Sequence, residues 1–400
     1  MTFENSRAAA VKSSPSMAVS MAAKRLIQEG RDIVDLSLGE PDFEPPAHVS
    51  DAACAAIRAG GLRYGVPAGN EPLRRAIAAK FSRDNGLSFG LDEIVVGNGA
   101  KQLLFDAFLA TLEKGDEVVI PTPCWVSYGD IVTLNGGTPV YVECPAASGF
   151  KLTAAQLEAA ITPRTRWLML NSPSNPTGAV MTRTEYEALG AVLAKHPNIL
   201  VLSDEIYEHI LLADQPFVSF GEACPALRER TLIVNGVSKA YAMTGWRVGY
   251  AAGPKGLIAA MAKMQSQSVT SVSAPAQAAA LAALDGDQSP VGEGVALFRR
   301  RAALVANRLG TIPGIDFAPP PGAFYAFIGI SGLLGRRSPA GAQIVDDTAF
   351  ARVLLEEFGV SSIPGIAFGA PGHIRFSIAA SDAQLEKACD RLEAMVRALA

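Results

Sequence analysis

The chain has 400 residues, 49% of them hydrophobic and 18% charged, with a formal net charge of −4. That length can bury a large core and suggests two or three domains, while the slight acidity leaves no broad cationic face for nucleic acid. No uncharged apolar run approaches the ~18 residues of a membrane span, so a soluble protein without a membrane partner is expected.

The opening MTFENSRAAAVKSSPSMAV carries an early acid and no long apolar core. No cleaved signal is expected, and the cytoplasm is the default compartment. Residues 17–30 read as a helix, and IVDLSLGEPDF as a short strand entering a proline-rich loop. Ser50 to Ala59 reads as a helix closed by Gly60-Gly61. The turn-rich RYGVPAGN then precedes the helix EPLRRAIAAKFSRDNG. From there strands alternate with helices. EIVVGNG, EVVIPTP, TPVYVEC, WLMLNSPSNPTG, ILVLSDEIYEHI, TLIVNGVSK and WRVGYAAG carry the strands, and AKQLLFDAFLATL and WVSYGDIVTLNG are among the helices. This pattern predicts an α/β fold with a mainly parallel sheet covered on both faces.

Beyond residue 290 the pattern changes to a long helix, then GAFYAFIGI, TAFARVLLEEFGV, HIRFSIA and a last helix. A second, α+β domain is expected there, with the N-terminal segment packed on it: residues 1–49 and 289–400, against 50–288 for the large domain. The five cysteines (Cys54, Cys124, Cys144, Cys224, Cys389) form no C-x-x-C pair. They read as small buried hydrophobes in a reducing compartment.

In sheets of this kind ligands bind where loops leave the carboxyl ends of the strands. Those junctions offer Gly99-Ala100-Lys101, Trp125, Asn175, Asp204 with Tyr207, and Lys239 with Arg247. Each has an ordinary alternative. GNGAKQ opens a helix after a strand and suits a phosphate, but it is neither G-x-G-x-x-G nor a Walker A and equally serves as a plain connection. Trp125 is a core aromatic or a plate for a planar ring. Asn175 stands in a turn-forming Asn-Pro step. Asp204 ends an apolar strand, where a desolvated carboxylate calls for a cation. Glu205 and His209 stand four apart, but without another histidine nearby or an H-E-x-x-H no metal is expected. Lys239 is either a solvated loop residue or an amine whose pKa is depressed by burial and a neighbouring cation such as Arg247, which makes it a nucleophile. Arg247 is an ion-pair partner or a phosphate clamp.

Together these residues resemble the fold-type I pyridoxal-phosphate enzymes, and among them the class I aminotransferases of the bacterial aspartate aminotransferase subgroup. SKAYAMTGWRVGY is similar to that family's cofactor-lysine signature. LSLGEPDF, RYGVPAGN, GNGAKQ, PCWVSYGD, NSPSNPTGAV, SDEIYEH, PPGAFYAF and HIRFSIA extend the likeness from residue 15 or so to the C-terminus. The resemblance implies a seven-stranded sheet in the large domain and pyridoxal 5'-phosphate as cofactor. It implies that Lys239 holds the cofactor as a Schiff base and that Asp204 pairs with the ring nitrogen. Tyr207 and Asn175 would donate to the phenolate oxygen, and Trp125 would stack on the ring. Gly99, Ala100, Lys101, Ser238 and Arg247 would surround the phosphate, with Tyr64 reaching it from the partner subunit of a homodimer. Arg375 would grip the substrate α-carboxylate, with Gly39, Trp125 and Asn175 beside it. The freed Lys239 would then move the α-proton.

Two positions depart from the best-studied aspartate enzymes. Where those carry a phosphate-binding serine before the lysine, this chain has Gly236, which leaves only a backbone N–H. Those enzymes also bind the distal carboxylate with a partner-subunit arginine, whereas this chain has no arginine between Arg247 and Arg299. Related bacterial members lack it too and use the lysine in the place of Lys101. The leading expectation is amino transfer between L-aspartate and 2-oxoglutarate. Aromatic, branched or prephenate-type substrates are the first alternative, a β-lyase the second, and a non-catalytic ligand sensor the third.

Overall fold

The computed structural model describes residues 3–11 and 15–400. Its centre is a seven-stranded sheet. The strands are β1 (Ile94–Gly97), β2 (Glu117–Thr122), β3 (Thr138–Glu143), β4 (Thr165–Asn171), β5 (Leu200–Asp204), β6 (Thr231–Gly236) and β7 (Gly249–Ala252). Their spatial order is β1-β7-β6-β5-β4-β2-β3. β7 runs antiparallel to both neighbours, and the ladders from β6 to β3 are parallel.

Strands covered on both faces need apolar side chains on both faces, and β1, β6 and β7 are buried at every residue. Alternate residues of β4 feed opposite layers. Trp167 and Met169 pack with Leu104 and Phe108 of the helix Ala100–Thr111, while Leu168 and Leu170 pack with Tyr186 and Leu189 of the helix Arg183–Leu193. The edge strand β3 instead exposes Thr138, Tyr141 and Glu143.

Helix ends follow their caps. Asn70 accepts from the Leu73 N–H at 2.9 Å to start Glu71–Asn85, and Gly86 ends it at φ 63°. Thr182 and Glu185 form a reciprocal capping box for Arg183–Leu193. The expected helix through WVSYGDIVTLNG is shorter than its sequence suggests and spans Tyr128–Leu134. The Cys124 N–H is drawn to the Phe368 carbonyl at 3.0 Å, so the chain turns through Trp125 before a helix can begin.

The helix Ser289–Leu309 leads into a three-stranded antiparallel sheet in which His373–Ser377 lies between Ile363–Pro364 and Tyr325–Gly329. Val34–Asp35 pairs in parallel with Val360–Ser361, which ties the N-terminal segment to this region. Its apolar cluster also takes in Ile206, Tyr207 and Ile210 from the turn after β5. Four cysteines are buried and free, but Cys54 is exposed, which corrects the reading of all five as buried. It lies on the helix Ala47–Ala59 beside Ala53, which points inward in its place. Among the described residues, no helix is long and apolar enough to cross a membrane.

Candidate active site

Asp204 is the last residue of β5 and is buried. Its Oδ2 accepts the Tyr128 hydroxyl at 2.8 Å and its Oδ1 the Ile206 N–H at 3.3 Å. Burial outweighs these donors and the more distant Lys239 charge, and pushes the carboxyl up to about 6.

Lys239 stands just past the end of β6. Its ammonium donates to the Gly39 carbonyl at 2.7 Å and lies 5.8 Å from the Tyr207 and Phe324 ring centroids. Burial pushes the amine down to about 8; Glu40 opposes the shift, while Arg375 and then Arg247 add to it. The sequence suggests Arg247 as the neighbouring cation, but Arg375 has the larger influence. Tyr207 shares an O–H···O bond of 2.8 Å with Tyr325. Burial holds its phenol well above the usual range, so it remains a donor.

Arg375, in the strand His373–Ser377, is 4% exposed. Its Nη1 donates to Asn175 Oδ1 at 2.8 Å and its Nη2 to the Ser37 carbonyl at 2.6 Å, while its Nε has no hydrogen-bond partner among the described residues. Burial lowers its pKa, and its guanidinium lies 4.4 Å from the Tyr325 ring centroid. A buried guanidinium met by neutral acceptors is chemically suited to receive an anion.

The helix Ala100–Thr111 starts at Gly99, whose φ of 82° favours glycine, and no side chain caps it. An added Cβ on Gly99 would strike the Arg247 guanidinium, and one on Gly249 the Ala100 N–H. Two glycines therefore let an uncapped helix start and Arg247 come together, a pairing that suits a phosphate. Arg247, at φ 57°, donates to the Thr244 carbonyl at 3.0 Å and the Asn98 carbonyl at 3.4 Å. Lys101 Nζ sits 4.6 Å from the Trp125 ring centroid; burial and then Arg247 lower its pKa. Ser238 is buried beside Lys239. Tyr64 alone stands apart, 93% exposed.

This arrangement has counterparts. The family model described as aminotransferase class I and II matches residues 31–392. The chain belongs to this aminotransferase family. The aspartate aminotransferase of Rhizobium meliloti is 48% identical over 98% of this chain and 96% of its own. The aspartate/prephenate aminotransferase of Cereibacter sphaeroides is 49% identical over 100% of both. The crystal structure of the Rhizobium meliloti enzyme superposes with a TM-score of 0.97 at 48% identity, covering 100% of both chains. The Thermus thermophilus aspartate aminotransferase with maleate gives 0.92 at 42% identity, covering 99% of this chain and 100% of its own. The protein is thus an enzyme, with the fold-type I architecture.

Three residues that touch these candidate groups escaped the sequence. Tyr128 and Tyr325 lie inside PCWVSYGD and PPGAFYAF, but only the fold shows that they touch Asp204 and Tyr207. Ser37 acts through its backbone carbonyl, which no side-chain pattern reveals. Gly236 does not keep a free N–H: it donates to Asn235 Oδ1 at 2.7 Å. A side chain there would strike the Val248 carbonyl, so a serine does not fit. Glu205 and His209 diverge: Glu205 accepts from the Ser203 and Ser219 hydroxyls, whereas His209 lies 3.2 Å from Asp84. Asp84, Glu208 and His209 do cluster, but the buried Lys80 ammonium pairs with Glu208 there.

The Lys239 amine should leave a signature in stability. Its folded value of about 8 lies below the ~10.4 of an unfolded lysine, so within that window the unfolded chain binds more protons. Stability from this group therefore rises with pH from about 8 to ~10.4. Denaturant unfolding of the cofactor-free chain at the two ends of the window checks this: wild type is expected to gain relative to Lys239→Met as pH rises.

Proposed function

We propose that this aminotransferase moves the amino group of L-aspartate to 2-oxoglutarate, with pyridoxal 5'-phosphate held at Lys239. The observation that carries the reading is Arg375, a buried guanidinium with neutral partners within electrostatic reach of the Lys239 amine. Such a pair meets the carboxylate and the reacting α-carbon of one amino acid.

The donor set fits the cofactor. The desolvated Asp204 carboxylate calls for a cation, which a protonated ring nitrogen supplies. The uncapped helix start and Arg247 suit the phosphate, Tyr207 offers a hydroxyl to the phenolate oxygen, and Trp125 offers a flat face. Bound pyridoxal phosphate supplies an electron-accepting ring that stabilises the negative charge left by α-proton loss. Lys239, oriented by the Gly39 carbonyl, takes that proton from the substrate α-carbon; its lowered pKa leaves a useful neutral fraction near physiological pH. Arg375 fixes the α-carboxylate and so decides which bond at the α-carbon faces the amine.

Lys101 is the reader of the distal carboxylate in this proposal. Its partly buried ammonium gains from an incoming negative charge. Lys101→Gln is expected to raise KM for aspartate about 10- to 100-fold, the loss of one charge-assisted hydrogen bond, and to spare phenylalanine. Equal losses for both would assign Lys101 to the phosphate alone.

The aspartate/prephenate names of several relatives favour a second reading, in which aromatic or prephenate-type acids share the site. Side-by-side kcat/KM values for aspartate and phenylalanine as donors, and for 2-oxoglutarate and prephenate as acceptors, decide between them. Phenylalanine above aspartate overturns the first. The exposed Tyr64, with Leu62 and Val66 exposed nearby, supports a homodimer in which Tyr64 serves the neighbouring site. The division into 50–288 and 1–49 with 289–400 belongs to the same reading, supported by the pairing of Val34–Asp35 with Val360–Ser361.

A further inference from the structure

Residues 37–43 reach the site from one side. The Ser37 carbonyl accepts Arg375 and the Gly39 carbonyl accepts Lys239. The start of this segment is anchored by backbone: the Leu36 N–H donates to the Ser361 carbonyl, and the Ser377 N–H donates to the Leu36 carbonyl. Beyond it, among the described residues, no backbone–backbone hydrogen bond involves residues 38–45. What holds the far end is a side chain. Arg301, 5% exposed on the helix Ser289–Leu309, grips both Asp42 oxygens at 2.7 Å and reaches Asp382 through Nε at 3.1 Å. On the same helix face Phe298 packs on Phe43, with centroids 5.7 Å apart.

We propose that Arg301 is a positioning residue for the active site: its two-pronged grip on Asp42 holds the 37–43 segment so that the Ser37 and Gly39 carbonyls meet Arg375 and Lys239. The planar fork matters, because two parallel bonds fix the orientation of Asp42, whereas a lysine supplies only a point charge. With the grip lost, the segment would stay tied at Leu36 and at the helix Ala47–Ala59 but would lose its charged anchor between them, and both carbonyls would gain room to move. Displacements of this kind, remote from the chemistry, carry large penalties.

The test uses a nitroxide at Glu44→Cys, an exposed position at the end of the segment, in a Cys54→Ser background that removes the exposed thiol. Arg301→Met and the milder Asp42→Asn are each expected to narrow the spectrum of the label, well below the melting temperature and with or without cofactor. In the unlabelled holoenzyme both are expected to lower kcat/KM for aspartate about 10- to 100-fold, chiefly through KM, with Arg301→Lys in between. A spectrum unchanged in Asp42→Asn, or a KM unchanged in the presence of a lowered melting temperature, would make Arg301 a structural residue only and overturn the proposal. The kinetic arm rests on the proposed function; the label does not, so the two can fail separately.

Discussion

Lys239→Ala is expected to lower kcat for amino transfer about 10⁴-fold or more, because in the proposed mechanism one substitution removes both the attachment point of the cofactor and the base that moves the α-proton. The fold should survive. Among the described residues the Lys239 amine makes one hydrogen bond, to the Gly39 carbonyl, and burial already lowers this amine to about 8. The measurement is borohydride reduction of the holoenzyme followed by peptide mapping, with initial rates taken in parallel. Wild type should carry the reduced cofactor on Lys239, and the variant on no lysine. An adduct mapped to another residue, or a variant that retained wild-type turnover, would sink the assignment.

Arg375→Met is expected to cost about 100- to 1,000-fold in kcat/KM, and to cost it equally for aspartate and phenylalanine, since both present the α-carboxylate that Arg375 is proposed to bind. This equality is what separates it from Lys101→Gln, whose effect should be confined to the dicarboxylate. Arg375→Lys should recover little, because a single ammonium cannot reach Asn175, Ser37 and an incoming carboxylate in one plane. Melting temperatures control for the Asn175 and Ser37 acceptors left without a donor, at about 1–3 kcal/mol for each buried group. Selective loss of aspartate alone would move Arg375 from the α-carboxylate to the side chain.

Much of this site was legible before folding because it lies at strand ends. Asp204 closes an apolar strand, Lys239 follows another, and Gly99 opens a helix, so their chemistry and their location share one pattern. What escaped depends on contacts between distant segments. The Tyr128 hydroxyl reaches Asp204 across 76 positions, and Arg375 meets the Ser37 carbonyl across 338. The Gly236 N–H looked available in the sequence and is taken by its own neighbour, Asn235, because the strand turns the Asn235 side chain back onto the backbone. The helix expected from Trp125 was shortened by a carbonyl from residue 368, which no local propensity encodes.

By itself, the order of residues determined the alternation of strands and helices, the apolar runs that bury a parallel sheet, and which polar groups stand at its carboxyl edge. Those follow from local periodicity and from the cost of burying unpaired groups. Only the tertiary structure decided how strongly Lys239 and Asp204 are perturbed, that Arg375 is met by neutral acceptors, and that Arg301 grips the segment whose carbonyls meet Arg375 and Lys239. Desolvation and ion pairing are set by what lies within a few ångströms in space, and the residues that supply them here come from opposite ends of the chain.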